Sequence, residues 1–322
     1  MFNVGIIGLG HVARYQISAI NRSREFHLIA GCDPDRSRLS LLDDCVDAYT
    51  DSEEMLQRSD LDMVVVASPN PLHASHGVQV MAAGKWLFME KPLADTQANF
   101  DLFDQKLQEY AGRCTLALHA AFGVEVEWFC GEQNRHKVDV AELSSFLAEF
   151  HDPYYDNGEL QPRASSLGGS WMDSGINALS VICRLLSPDD LIICDSQMTR
   201  VKESGCTEVE GTVDFRFSRP RVHGTGVIET SWTTGRNQKL TTLGFESDDR
   251  KIILDHSAQQ VILREQERDQ LLFSCDSGLP RLTNHYVGAF EDLALQMNAG
   301  IDNFSYCQKL HRLLYQAENW KN

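Results

Sequence analysis

Along the first third of the chain, apolar residues come in short β-branched runs separated by longer stretches with helical spacing, the alternation of βαβ units around a parallel sheet. Val4–Ile7 predicts a first strand, Val12–Asn21 its helix, and Phe26–Cys32 a second strand. Met63–Ala67 is apolar at every position, as a parallel strand covered on both faces requires. A helix over His73–Ala83 ends at Gly84, Trp86–Met89 predicts the next strand, Asn99–Ala111 a further helix, and Thr115–His119 the last strand of the parallel set.

The pattern changes near residue 120. After one helix at Val124–Glu132, strands follow one another: Leu143–His151, Leu191–Val201, Val209–Phe217, Gly226–Trp232, Lys239–Phe245, Lys251–Asp255 and Gln260–Arg264. Strands in succession argue for a large, mostly antiparallel open sheet. One helix over Gly169–Leu186 interrupts them, and helices at Asn284–Asn298 and Tyr306–Ala317 close the chain. The expected fold class is therefore α/β with two domains: a doubly wound parallel sheet over residues 1–120, and an α+β domain over 121–322 that carries substrate binding and oligomerisation.

Length and charge agree with this division. A chain of 322 residues suits two domains at roughly 150 residues each. With 29 Lys and Arg against 46 Asp and Glu, the net charge is −17, a field that repels nucleic acid and anionic membrane surfaces. Nine cysteines (Cys32, Cys45, Cys114, Cys130, Cys183, Cys194, Cys206, Cys275 and Cys307) are an odd number without a C-x-x-C pair, which predicts reduced thiols in a cytoplasm. Met1–Leu9 is apolar but lacks a basic flank and runs into a glycine turn, so no signal peptide is expected. No stretch reaches the ~20 apolar residues of a membrane span.

Gly8-Leu9-Gly10-His11-Val12-Ala13 follows a strand and opens a helix, so backbone N–H groups and the positive helix end face a pyrophosphate. In that context the motif is the fingerprint of a Rossmann dinucleotide fold, with Gly8, Gly10, His11, Val12 and Ala13 at the cofactor. Asp33 ends the second strand, where a carboxylate accepts hydrogen bonds from a ribose 2′-hydroxyl and repels a 2′-phosphate. NAD is thereby favoured, while Arg36 and Arg38 lie close enough to leave NADP open. Ser68-Pro69-Asn70-Pro71-Leu72-His73 follows a buried strand, at the strand ends where parallel sheets bind ligands. His73 and His76 have the spacing of a metal pair but no third ligand, so no metal is expected, and one of them is read as packing near the cofactor and the other as surface.

With Glu90-Lys91-Pro92 and Gly168-Gly169-Ser170-Trp171-Met172-Asp173-Ser174-Gly175-Ile176-Asn177 added, the chain resembles the glucose-fructose oxidoreductase / inositol dehydrogenase family over nearly its full length. The resemblance implies that Glu90 and Lys91 lie at the cofactor, that Lys91 also meets substrate, and that the second-domain helix supplies Asp173. Asn177 stands where the family usually has a histidine, and an amide cannot act as general acid or base. The D-x-G-x-N variant is similar to the aldose 1-dehydrogenase branch, which oxidises L-arabinose or D-galactose at the anomeric carbon. Ala117-Leu118-His119-Ala120, Glu149-Phe150-His151 and Trp232 also fit that branch, whereas Tyr154 stands for its tryptophan and Gly123 for its histidine.

Asp173 and Asn177 share a helix face by their i, i+4 spacing, which a solvated face would equally produce. Glu149 and His151 lie on one side of a strand, either gripping sugar hydroxyls with Tyr154 or facing solvent. His119 and Trp232 are each either core residues or pocket contacts. The expected chemistry has Lys91, its pKa lowered by burial, taking a hydroxyl proton as hydride leaves to NAD, with Asp173 holding Lys91 or acting as the base itself. Alternatives are a dehydrogenase of another ring hydroxyl of an inositol or sugar derivative, and a non-catalytic dinucleotide-dependent sugar sensor. The expected assembly is a homodimer or a higher homo-oligomer.

Overall fold

The computed structural model describes residues 1–110, 113–131, 140–164, 166–201, 207–220, 222–246, 248–266 and 268–320. The expected helix ends at Ala111 and Glu132, and Cys206, lie outside the described residues. The chain divides into two compact units, Met1–His119 with Leu282–Gln308, and Ala120–Arg281 with Lys309–Asn322.

In the first unit, strands β1 (Phe2–Ile7), β2 (Phe26–Cys32), β3 (Asp47–Tyr49), β4 (Met63–Val66), β5 (Trp86–Glu90) and β6 (Cys114–Ala117) form one six-stranded sheet in the order β3-β2-β1-β4-β5-β6. All its pairings are parallel. Helices α1 (Ala13–Ile20), α2 (Ser52–Leu56), α3 (His73–Ala82) and α4 (Gln97–Leu107) alternate with the strands. Every residue of β4 and β5 is buried, which accounts for their unbroken apolar sequence up to Glu90. The stretch expected as a continuous second domain over 121–322 sends Leu282–Gln308 back to this unit. Phe290, on helix α7 (Arg281–Ala299), packs 5.4 Å from Phe26 and 4.9 Å from Phe88, ring to ring.

The second unit is built on an eight-stranded sheet in the order β10-β11-β12-β7-β13-β14-β15-β16. Its strands are β7 (Leu143–His151), β10 (Leu191–Val201), β11 (Thr207–Ser218), β12 (His223–Ser231), β13 (Gln238–Phe245), β14 (Asp248–Asp255), β15 (Gln260–Glu265) and β16 (Arg268–Ser274), while β8 (Tyr155–Asp156) and β9 (Glu159–Leu160) pair separately. Among the described residues only the β7–β12 pairing of this sheet is parallel, so the expected mostly antiparallel sheet is observed. Helices α5 (Val124–Cys130), α6 (Ile176–Leu185) and α8 (Phe304–Glu318) complete the described helices. Gly169–Leu186 is not one regular helix: Trp171–Gly175 is wound as a π-type turn that leads into α6.

The edge strands β3 and β16 escape the sequence pattern. They are mostly exposed, so they lack the buried alternation that marks a strand. The described cysteines form no disulfide among themselves, and no described helix is long and apolar enough to cross a membrane.

Candidate active site

The first unit carries a cofactor cleft at the C-terminal ends of β1 and β2. Gly8 has φ +93°, and a Cβ there would lie 2.6 Å from the Ser68 nitrogen and 2.7 Å from the Ala67 carbonyl, so only glycine lets the β1 turn meet the β4 loop. A Cβ on Gly10 would instead meet nothing closer than the Arg38 tip at 4.0 Å. That open space belongs to a cleft of about 430 Å³ lined by Leu9, Gly10, His11, Arg14, Arg38 and Ser40, in front of the turn leading through Val12 into α1 at Ala13. The void beside Gly10 and the donors at the helix start fit a dinucleotide pyrophosphate. A second cleft of about 490 Å³, lined by Phe2, Asp62 and Trp86, opens at the strands' N-terminal ends, away from the end that binds ligands in parallel sheets.

Asp33 is 4 % exposed at the end of β2. Its Oδ2 accepts the Leu9 N–H at 2.8 Å, its Oδ1 accepts the Asp35 N–H at 2.9 Å, and Arg38 Nη1 lies 3.6 Å from Oδ2. The carboxylate thus braces the glycine turn from behind, and Arg38 is tethered to Asp33 and Asp35 rather than pointing freely into solvent.

His73 is buried, and its two ring nitrogens face carbonyl oxygens, Pro92 O at 2.6 Å and Ser68 O at 2.7 Å. It ties the Ser68 loop to the Lys91–Pro92 turn. A neutral imidazole has one N–H and can satisfy one of the two; burial holds the ring's proton affinity below its ordinary value, and the positive charge of Lys91 acts the same way. His76, expected as either cofactor packing or surface, is half-buried with Nδ1 2.9 Å from Ser68 Oγ. Pro69 is exposed and Asn70 half-buried on the same loop.

Glu90 points inward. Gln16 Nε2 donates to its Oε1 at 2.7 Å and the Tyr286 hydroxyl does so at 2.5 Å, while the Lys91 N–H donates to Oε2 at 3.2 Å. Burial pushes this carboxyl up to about 7, against the opposing pull of those donors and of the Lys91 charge. Burial and the neighbouring carboxylate hold the Tyr286 hydroxyl well above the usual phenol range, so it remains a donor. Glu90 therefore anchors α1 and α7 under the Lys91 turn. Lys91 itself is half-buried. His119 is 7 % exposed, with Nδ1 3.2 Å from His285 Nδ1 and its ring 5.2 Å from that of Tyr286.

In the second unit, of residues Trp171–Leu186 only Asp173, Asn177 and Arg184 escape full burial. Asn177 Nδ2 donates to the Asp173 carbonyl at 3.1 Å, and its Oδ1 is buried with no hydrogen-bond partner, an acceptor awaiting a donor. The turn holding Asp173 is fastened by Glu208, which accepts the Trp171 N–H at 2.7 Å and the Ser170 hydroxyl at 2.7 Å. Burial pushes the Glu208 carboxyl up to about 7.

Strand alternation separates the residues of β7. Phe150 pairs in register with Thr230, whose hydroxyl lies 2.8 Å from Ser170 Oγ, so this face carries the Asp173 turn. Asp152 reaches the same side: its Oδ2 accepts the Ser174 hydroxyl at 2.9 Å and its Oδ1 accepts Lys239 Nζ at 2.8 Å. Burial lowers the proton affinity of Lys239 and Asp152 raises it, with a net shift downward. Glu149 and His151 point to the opposite face, beside Glu229, with ligand atoms of the three within 4.8 Å of one another. Their expected grip on substrate beside Asp173 is therefore not what the strand allows. Asp152 and Lys239 stand there instead, and the signal was available: Asp152 is two residues beyond Phe150.

Trp232 is fully buried in a cluster with Ala164 and Val209, and Tyr154 meets its ring edge-on at 5.4 Å. Trp232 thus sits in the core, with no exposed face on which a sugar could stack.

Residues 2–117 match the family model described as "Oxidoreductase family, NAD-binding Rossmann fold". Through that domain, about a third of its length, the chain is similar to the glucose-fructose oxidoreductase / inositol dehydrogenase family. Its cofactor is a nicotinamide dinucleotide, NAD. Among curated relatives, 4-carboxy-2-hydroxymuconate-6-semialdehyde dehydrogenase of Sphingobium is 40% identical over 60 residues, 19% of each chain. Inositol 2-dehydrogenase of Salmonella typhimurium is 29% identical over 100 residues, 30% of each chain. The matches thus span 19% and 30% of those relatives' length. The fold extends further: an oxidoreductase from Agrobacterium radiobacter, solved in complex with NAD+, L-tartaric acid and magnesium, superposes with TM-score 0.78 and 16% identity over 99% of this chain and 97% of that one.

Proposed function

We propose that this chain is an NAD-dependent dehydrogenase that oxidises an aldose at its anomeric carbon to a lactone. The observation that carries the reading is Asn177: on a helix whose other residues, Arg184 apart, are buried, its Oδ1 is a buried acceptor without a donor, next to Asp173. A sugar hydroxyl supplies such a donor. Gly8, Gly10, His11, Val12 and Ala13 hold the pyrophosphate, Asp33 the adenosine ribose, and Ser68–Asn70 the nicotinamide end. When bound, NAD supplies the hydride acceptor.

Lys91 Nζ takes the proton of the reacting hydroxyl as the adjoining C–H bond breaks. Asp173 orients the reacting hydroxyl, and Asn177 receives a neighbouring one. His73 holds the Lys91–Pro92 turn to the Ser68 loop, which keeps the proton acceptor and the cofactor in register. Asp152 and Lys239 take the hydroxyl-orienting role expected of Glu149 and His151.

A second reading, oxidation of a ring hydroxyl of a cyclitol to a ketone, draws on the inositol 2-dehydrogenase relatives. The test follows absorbance of the reduced nicotinamide with NAD and NADP across pentoses, hexoses, deoxy sugars and inositols, with product analysis. A lactone supports the first reading and a ketone the second. Lys91→Ala lowers kcat by about 100-fold or more with NAD affinity retained. Near-normal turnover in that variant defeats the assignment, and NAD binding with no reduction by any compound favours a sensor.

A further inference from the structure

The face of the second-unit sheet turned away from the Asp173 helix carries a group that the dehydrogenase reading leaves unused. Glu149 on β7 and Glu229 on β12 stand directly opposite one another in the parallel register, and His151 lies two residues along β7 on the same face. All three are half-buried, and one ligand atom from each lies within 4.8 Å of the others. Like charges placed directly across a strand pair repel each other. Neither carboxylate takes a hydrogen bond or ion pair from any described residue. The His151 Nδ1 atom is buried without a hydrogen-bond partner. Two carboxylates and an imidazole nitrogen thus converge with their polar atoms unspent.

We propose that Glu149, His151 and Glu229 bind a divalent transition-metal cation of the zinc kind, a site distinct from the residues assigned to hydride transfer. The imidazole nitrogen selects against magnesium and calcium, which take oxygen ligands, while two carboxylates neutralise a doubly charged ion. Bonds of roughly 2.1 Å in tetrahedral geometry space ligands about 3.4 Å apart, a contraction that rotation of the glutamate side chains supplies, and the fourth position falls to water. Such an ion replaces the Glu149–Glu229 repulsion with shared coordination. It clips β7 to β12 at a parallel seam of the eight-stranded sheet.

The experiment uses the full chain stripped with a chelator and titrated with zinc chloride by calorimetry, with the thermal midpoint followed in parallel. Binding of one ion per chain and a midpoint raised by several degrees are expected, with no response to magnesium. Glu229→Gln and His151→Ala each weaken zinc binding at least tenfold. Cobalt(II) in place of zinc reads the ligands directly: visible d–d absorption without a thiolate charge-transfer band supports oxygen and nitrogen ligands. NAD titration, which Glu229→Gln leaves unchanged, shows that the variant is folded. Zinc affinity equal in parent and Glu229→Gln, a thiolate band from the exposed Cys45 or Cys194, or no binding at submillimolar zinc overturns the proposal.

Discussion

Replacing Glu90 with glutamine isolates the proton-linked part of the site's stability. The folded protein holds the Glu90 carboxyl at about 7 against an ordinary value of 4.5. A carboxyl raised in this way binds its proton better folded than unfolded. Its contribution is therefore fully present below about pH 4.5 and is lost as pH rises through about 7. At 1.36 kcal/mol per unit, full ionisation costs on the order of 3 kcal/mol for this fully enclosed group. In Glu90→Gln the amide oxygen still accepts from Gln16 and Tyr286, and only the long contact with the Lys91 N–H is replaced by an amide donor. Urea unfolding of parent and variant at about pH 5 and about pH 9 reads the difference. The parent loses about 3 kcal/mol more than Glu90→Gln between the two conditions. Glu208, also raised to about 7, titrates in both proteins and cancels in the comparison. Stability curves that run parallel within about 0.5 kcal/mol refute the placement of an ionisable Glu90 in a buried network.

The two glycines of the turn separate strain from ligand exclusion. Gly8→Ala forces a side chain into positive φ, at about 1–2 kcal/mol, and onto the Ser68 backbone 2.6 Å away, so both stability and NAD affinity fall. Gly10→Ala meets nothing nearer than 4.0 Å in the cofactor-free protein, so calorimetry finds NAD affinity down at least tenfold while the urea midpoint is unchanged. Glu208→Ala strips the buried Trp171 N–H of its acceptor, at about 1–3 kcal/mol, and loosens the Asp173 turn. The expected result is a raised KM for substrate with NAD affinity kept, largely restored in Glu208→Gln, and an unaltered KM would show that the turn needs no such brace.

Local spacing in the sequence was enough to locate the glycine turn, Asp33 at the end of β2, the fully buried β4 and the bounds of β7, because each depends on periodicity or turn chemistry within one element. Asp173 and Asn177 were likewise legible as neighbours on one helical face. The partners of those residues were not. Glu90 meets Tyr286, Ser170 meets Glu208, and Asp152 meets Lys239, across separations that no local pattern encodes. Tertiary packing also returned α7 to the first unit, where the Phe290 ring completes an aromatic cluster with Phe26 and Phe88. It decided as well which face of β7 was which: alternation alone places Glu149 with His151 and Phe150 with Asp152, but only the helix laid against Phe150 says which pair stands beside Asp173. A strand's period is set by its own backbone, whereas the identity of its inner face is set by what packs on it.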